Sequence, residues 1–139
     1  HNSNIYGFDS FFGNPEIWPG SNNTIGSSTQ FGEIPKNLEK NVIIIKGKIE
    51  DTLIEFQKKN VEKIAIIHID VNIYSTAKFI LEKTKDKLQS GTIIIFDELV
   101  NYHFWWKNGE FKALKEVFSD DEFEFIAFDN AKKAAIKIK

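Results

Sequence analysis

Three acidic side chains close two apolar runs in this sequence. The first run, Ile64-Ala65-Ile66-Ile67-His68-Ile69, stops at Asp70, with Asn72 two residues on. The second, Thr92-Ile93-Ile94-Ile95-Phe96, stops at Asp97-Glu98. Apolar runs without polar alternation, ended by carboxylates, are how buried parallel strands deliver polar groups to the carboxyl edge of an α/β sheet. With both strands in one sheet, Asp70, Asp97 and Glu98 converge. Such an oxygen set suits a hard divalent cation such as Mg2+, which takes carboxylates and waters and leaves positions open for substrate oxygens. A cation there would orient a substrate hydroxyl and lower its pKa. The same residue types also serve as caps and ion-pair partners, and the spacing leaves both readings open.

Asp9 closes a shorter run, Ile5-Tyr6-Gly7-Phe8. An acid at such a strand end accepts hydrogen bonds from the ribose hydroxyls of a nucleotide-like cofactor, and it equally serves as a turn residue. His68, inside an apolar strand, reads as a satisfied core residue rather than a base. His103 sits in an aromatic loop beside the proposed edge and is the better candidate for acid–base work. Its neighbours Phe104-Trp105-Trp106 read first as packing against the sheet or a partner chain. Covering an aromatic or sugar-like substrate is the other reading. No GxGxxG, P-loop or HExxH motif occurs, and Ser10 and Ser75 lack a nucleophile-elbow context.

The elements that must position these groups alternate. Ile5–Asp9 reads as a strand, followed by a loop from Ser10 to Lys40 that holds all three prolines (Pro15, Pro19, Pro35). A loop of this length tends to be functional or mobile, and its Phe11, Phe12, Trp18 and Phe31 predict that it folds back onto the body. Val42–Gly47 is a second strand. Glu50 or Asp51 can cap a helix reaching about Asn60. After the Ile64 strand, Ser75 or Thr76 can cap a helix with Ala77, Ile80, Leu81, Thr84 and Leu88 along one face. Thr92–Phe96 is the fourth strand. A short helix after Gly109 carries Phe111, Leu114 and Phe118, and Phe123–Phe128 with Ala134–Lys139 spells a closing hairpin. This order predicts an α/β fold, mostly parallel, with helices on both faces and an antiparallel hairpin at the C-terminus.

The bulk numbers fit that picture. At 139 residues the chain is one domain at most, and 42% hydrophobic with 27% charged residues is ordinary for a globular protein. A net charge of −2 offers no electrostatic footprint for nucleic acid or a membrane surface. No apolar run approaches the ~18 residues of a membrane span. The absence of cysteine excludes disulfides, thiolate metal sites and cysteine nucleophiles, and fits a cytoplasmic protein. The chain also lacks methionine, including an initiator, so a piece of a longer protein is expected.

Several segments, in order, resemble class I S-adenosylmethionine-dependent methyltransferases, and more narrowly the macrocin-type sugar O-methyltransferases. They are Ile5 to Phe11 with Gly13, Pro15 and Glu16; Lys46-Gly47 with Glu50 to Leu53; His68-Ile69-Asp70 with Tyr74-Ser75-Thr76; Gly91 to Glu98; and Gly109 to Ala113. The resemblance implies a Rossmann-like methyltransferase sheet and an O-methyltransferase acting on a hydroxyl of a sugar or other small metabolite. It implies that Asp9 binds the cofactor's ribose, that Ser10 lies close to the adenosine, and that Lys48 and Ile49 lie along the adenine. Asp70, Asp97 and Glu98 fall on the family's magnesium-binding acids, with Asp70 also near the methyl group. The family often has an acid where Asn72 stands and an Asp-Asp pair where Asp97-Glu98 stands. Its first strand, in the middle of the sheet, and its glycine-rich loop have no counterpart here. That predicts a partial domain over residues 1–139, with a gap between the Ile5 and Ile64 strands. A catalytically incompetent methyltransferase-like domain with a binding or assembly role is the rival expectation. A metal-dependent sugar-nucleotide enzyme, reading Asp70-Val71-Asn72 as a DxD-like motif, is a third. The strand gap and the aromatic loop are compatible with a homo-oligomer.

Overall fold

A computed structural model describes residues 3–139. Its elements follow the predicted order: β1 (Ile5–Asp9), β2 (Val42–Lys46), α1 (Ile49–Lys59), β3 (Ile66–Ile69), α2 (Tyr74–Thr84), β4 (Ile93–Phe96), α3 (Gly109–Val117), β5 (Phe123–Phe128) and β6 (Ala134–Ile138). The β-branched runs Val42 to Ile45 and Ile93 to Ile95 suit a pleated, covered surface and form strands for that reason. The strands fall into two sheets. β1 pairs in parallel with β2, setting Asp9 opposite Lys46. The second sheet has the order β3-β4-β6-β5. There β3 and β4 are parallel, with Ile69 opposite Phe96, and β6 pairs antiparallel with both β4 and β5.

The anticipated gap is present: among the described residues no strand lies against the free edges of β1 and β3. Ile5 and Ile66 on these strands are 58% and 61% exposed. An unpaired edge leaves backbone donors and acceptors open to another strand.

The core lies on one face of the larger sheet. Register sets Ile67, Ile94 and Ile136 in one row and Ile69, Phe96 and Ala134 in the next. Ala77, Ile80 and Leu81 of α2, with Ala113 and Leu114 of α3, pack over these rows. The expectation of helices on both faces is not met. The crossovers β3–α2–β4 and β4–α3–β5 run in the same direction across the sheet, and right-handed connections put both helices on one side. Helix α1 adjoins that layer, Gln57 Nε2 donating to the Lys83 carbonyl at 2.8 Å. On the other face Ile66 and His68 are exposed, and Ile93 and Ile95 are half-buried.

Both predicted caps shift. Lys48 is the N-cap of α1, so Glu50 and Asp51 lie in its first turn, where the helix dipole favours acids. Ile73 is the N-cap of α2, and Ser75 and Thr76 fall inside the helix. Burial decides this start: Asn72 turns the chain with φ +57°, and Ile73 enters the core at 1% exposure. Ser75 Oγ instead donates to Glu16 Oε1 at 2.7 Å, tethering the long loop. That loop does fold back: Phe11 and Trp18 are buried, although Phe12 and Phe31 stay exposed.

An ion pair joins the end of α2 to the hairpin. Lys85 Nζ lies 2.8 Å from Glu122 Oε1 and donates to the Val117 carbonyl at 2.7 Å. The Lys85 bond, then the Ser119 amide, hold the Glu122 carboxyl down to about 2. A folded-state pKa below the ordinary 4.5 contributes stability that is present above pH 4.5 and lost as pH falls toward 2. In urea unfolding across that window, Glu122→Gln is expected to lose less stability on acidification than wild type. Equal losses would refute the assignment.

Candidate functional site

The carboxyl ends of β3 and β4 are held side by side by the Asp97 amide, which donates to the Ile69 carbonyl at 2.9 Å. Just past that bond stand Asp70 on one strand and Asp97-Glu98 on the other. Each offers one carboxylate oxygen, and these oxygens all lie within 4.8 Å of one another. Asp70 is exposed, while Asp97 and Glu98 are half-buried. Burial, then the Asp97 charge, raises the Asp70 pKa. Burial, then Asp70 and Asp97, does the same to Glu98. At Asp97 burial pushes upward but is outweighed by Lys133, then His68, and its pKa falls.

The ion-pair alternative therefore applies to one of the three acids. Lys133 forms a salt bridge with Asp97, and His68 Nε2 stands 3.4 Å from Asp97 Oδ1. Among the described residues Asp70 and Glu98 have no such partner, and Glu98 Oε2 is buried without a hydrogen bond. Two unpaired carboxylates and an orphaned buried oxygen fit a hard cation.

Beneath the acids lies a fourth carboxyl group. Glu110, in the first turn of α3, has no exposed surface. Burial pushes its pKa up to about 8, against two backbone amides that favour its charged form. The Val71 amide donates to Oε1 at 3.4 Å and the Glu98 amide to Oε2 at 3.2 Å. The long loop closes one side. Trp18 packs edge-on to Tyr102 at 5.4 Å, and Asn72 Nδ2 donates to Asn14 Oδ1 at 3.5 Å.

A family model described as a methyltransferase domain matches residues 1–99. The chain belongs to this methyltransferase family. No curated protein matches it significantly. Among solved structures, the calicheamicin methyltransferase CalS11 superposes with a TM-score of 0.72 at 22% identity, over 96% of this chain and 60% of CalS11. An apo structure of CalS11, a TDP-rhamnose 3'-O-methyltransferase, gives 0.67 at 24% identity over 96% and 58%. The O-methyltransferase NovP gives 0.70 at 17% identity over 99% and 61%. The chain thus spans about 60% of the length of these structures. They share its Rossmann-like fold, as expected for a class I methyltransferase.

Within this methyltransferase fold the remaining predicted residues fall in two groups. Asp9 and Ser10 at the end of β1 lie beside Lys48 and Ile49 just past β2, because Asp9 pairs with Lys46. Asp9 Oδ1 accepts the Phe11 amide at 2.6 Å, so the turn role is real and leaves Oδ2 available. His103 is exposed and its ring lies tilted against Phe104, with centroids 3.8 Å apart, and makes no hydrogen bond to the acids among the described residues. Of the aromatic cluster, Trp105 packs on Phe111 at 4.7 Å, while Phe104 and Trp106 are exposed.

Sequence reasoning misplaced His68, which faces Asp97 rather than the core, because an unbroken apolar strand does not declare which face is covered. It also passed over Lys133 and Glu110. The sole signal for Glu110 was its place after Gly109 in a segment already singled out. Gly109 has φ +75°, and a Cβ there would collide with Tyr102 Oη. Gly109→Ala is expected to destabilise the fold by more than about 1 kcal/mol in denaturant unfolding. A cost near zero would show that Tyr102 is free to move.

Proposed function

We propose that this chain is the cofactor-binding part of an S-adenosylmethionine-dependent O-methyltransferase whose acceptor is a hydroxyl of a sugar or other small metabolite. The observation that carries the reading is the convergence of Asp70, Asp97 and Glu98 at the strand ends. The sugar class is supported by one solved neighbour, CalS11, a TDP-rhamnose 3'-O-methyltransferase, and the O-methyl chemistry by CalS11 and the O-methyltransferase NovP. Residues 1–139 are read as one domain or part of one.

In this reading Asp9 takes the ribose hydroxyls, Ser10 lies near the adenosine, and Lys48 and Ile49 flank the adenine. The acceptor oxygen attacks the sulfonium methyl in line with the carbon–sulfur bond. The new C–O bond forms as that bond breaks, its electron pair stays on sulfur, and the hydroxyl proton passes to a base. Asp70, made more basic by its surroundings, and His103 are the candidates for that base. The chain's main contribution is positioning. A Mg2+ ion held by Asp70, Asp97 and Glu98 would supply Lewis-acid activation of the hydroxyl.

A non-catalytic binding or assembly role is the competing reading, and the open edges of β1 and β3 favour it. Calorimetric titration of the full-length protein with S-adenosylhomocysteine separates the two. Binding is expected, weakened about tenfold by Asp9→Ala through the loss of charge-assisted bonds. An absence of binding sinks the enzyme reading. Asp70→Ala is expected to abolish both methyl transfer and its response to Mg2+. Unchanged activity and Mg2+ response would remove the carboxylate cluster from the mechanism.

A further inference from the structure

We infer that Glu110 is a positioning residue: a brace that sets the spacing between the Asp70 end of β3 and the Asp97-Glu98 end of β4. The ladder between these strands closes with the Asp97 amide on the Ile69 carbonyl. Past that point no backbone bond joins the two chains among the described residues, and Asn72 turns the β3 chain away in a left-handed conformation. The Glu110 carboxyl spans the opening. One oxygen takes the amide of Val71, the residue after Asp70, and the other takes the amide of Glu98 itself. Both oxygens come from one rigid planar group, so the two strand ends are tied to a single reference point.

The rest of α3 fixes that point. Glu110 is in the helix's first turn, where the dipole partly offsets the burial that raises its pKa. The helix is anchored by Ala113 and Leu114, both fully buried, and Gly109 lets its start approach Tyr102 closely. Glu110 thus acts through the acids it spaces. Groups that hold ligand-bearing segments in place commonly change metal affinity tenfold or more. The metal-affinity part of this inference rests on the cation reading above, whereas the geometric part stands on the two hydrogen bonds.

Two measurements on the full-length protein test it. In native-state hydrogen exchange, the Val71 and Glu98 amides of wild type are expected to be protected, although they lie past the strand ladder. Rapid exchange at both overturns the brace. In calorimetric titration with Mn2+, Glu110→Gln is expected to bind at least about tenfold more weakly than wild type, because its NH2 group cannot accept the second amide. Glu110→Asp, one methylene too short to span both amides, is expected to weaken binding in the same sense. It serves if the glutamine variant does not fold. Metal-free thermal unfolding identifies the folded variants. Unchanged Mn2+ affinity in a folded variant would reduce Glu110 to a packing role and overturn the inference. If wild type binds no Mn2+, the cation reading falls, and the exchange measurement alone decides the brace.

Discussion

Like charges at close range repel, and the carboxyl edge of this fold gathers them. Two ionised carboxylates about 5 Å apart cost roughly 3 kcal/mol at an effective dielectric of about 20. Asp70, Asp97 and Glu98 are held within that range, with Glu110 buried below. The surroundings answer each charge differently. Asp97 has Lys133 and His68, whereas at Glu110 burial outweighs two amides and keeps the proton on up to about pH 8. Asp70 and Glu98 have no ion-pair partner among the described residues, and burial, then the neighbouring acids, makes them hold their protons more tightly than usual. A cation is the economical neutraliser of such an arrangement, and the chemistry proposed for the site grows from this imbalance.

The long loop after β1 belongs to the same design. Its glycine- and asparagine-rich sequence would be loose in isolation. Trp18 against Tyr102, Glu16 against Ser75 and Asn14 against Asn72 tie it to the first turn of α2 and to the loops that follow β3 and β4. The acid cluster is thereby flanked by ordered side chains supplied from three separate parts of the sequence.

Much of this was readable in the chain beforehand, and for local reasons. The Ile64 and Thr92 runs had the length and β-branching of covered strands, and their terminal acids had nowhere to go but the sheet edge. The hairpin declared itself by alternation. What stayed hidden depended on tertiary facts. Which face of β3 is covered follows from the direction of the crossovers, so His68 looked internal and is not. Helix starts followed the burial of Ile73 and the turn at Asn72 rather than the nearest hydroxyl. Glu110 was invisible as a brace because its partners are main-chain amides, which carry no residue signature. The identity of Asp9 predicted both of its roles without choosing, and the structure shows one of them satisfied on a single oxygen.

The division of the strands between two sheets also has a dynamic side. The sheet of β3, β4, β6 and β5 shares one core with α2 and α3, so its hydrogen bonds break together. The β1–β2 pair is stitched across a long connection and leans on Phe56 of α1 through Tyr6 and Phe8. Loop closure delays such a pairing during folding, and sparse apolar support lets it open locally afterwards. The half that carries Asp9 and Ser10 is therefore the softer half, whereas Ile49 at the start of α1 packs against the main core. A ligand bridging both halves would order the softer one against the firmer one, spending part of its binding energy on cooperativity.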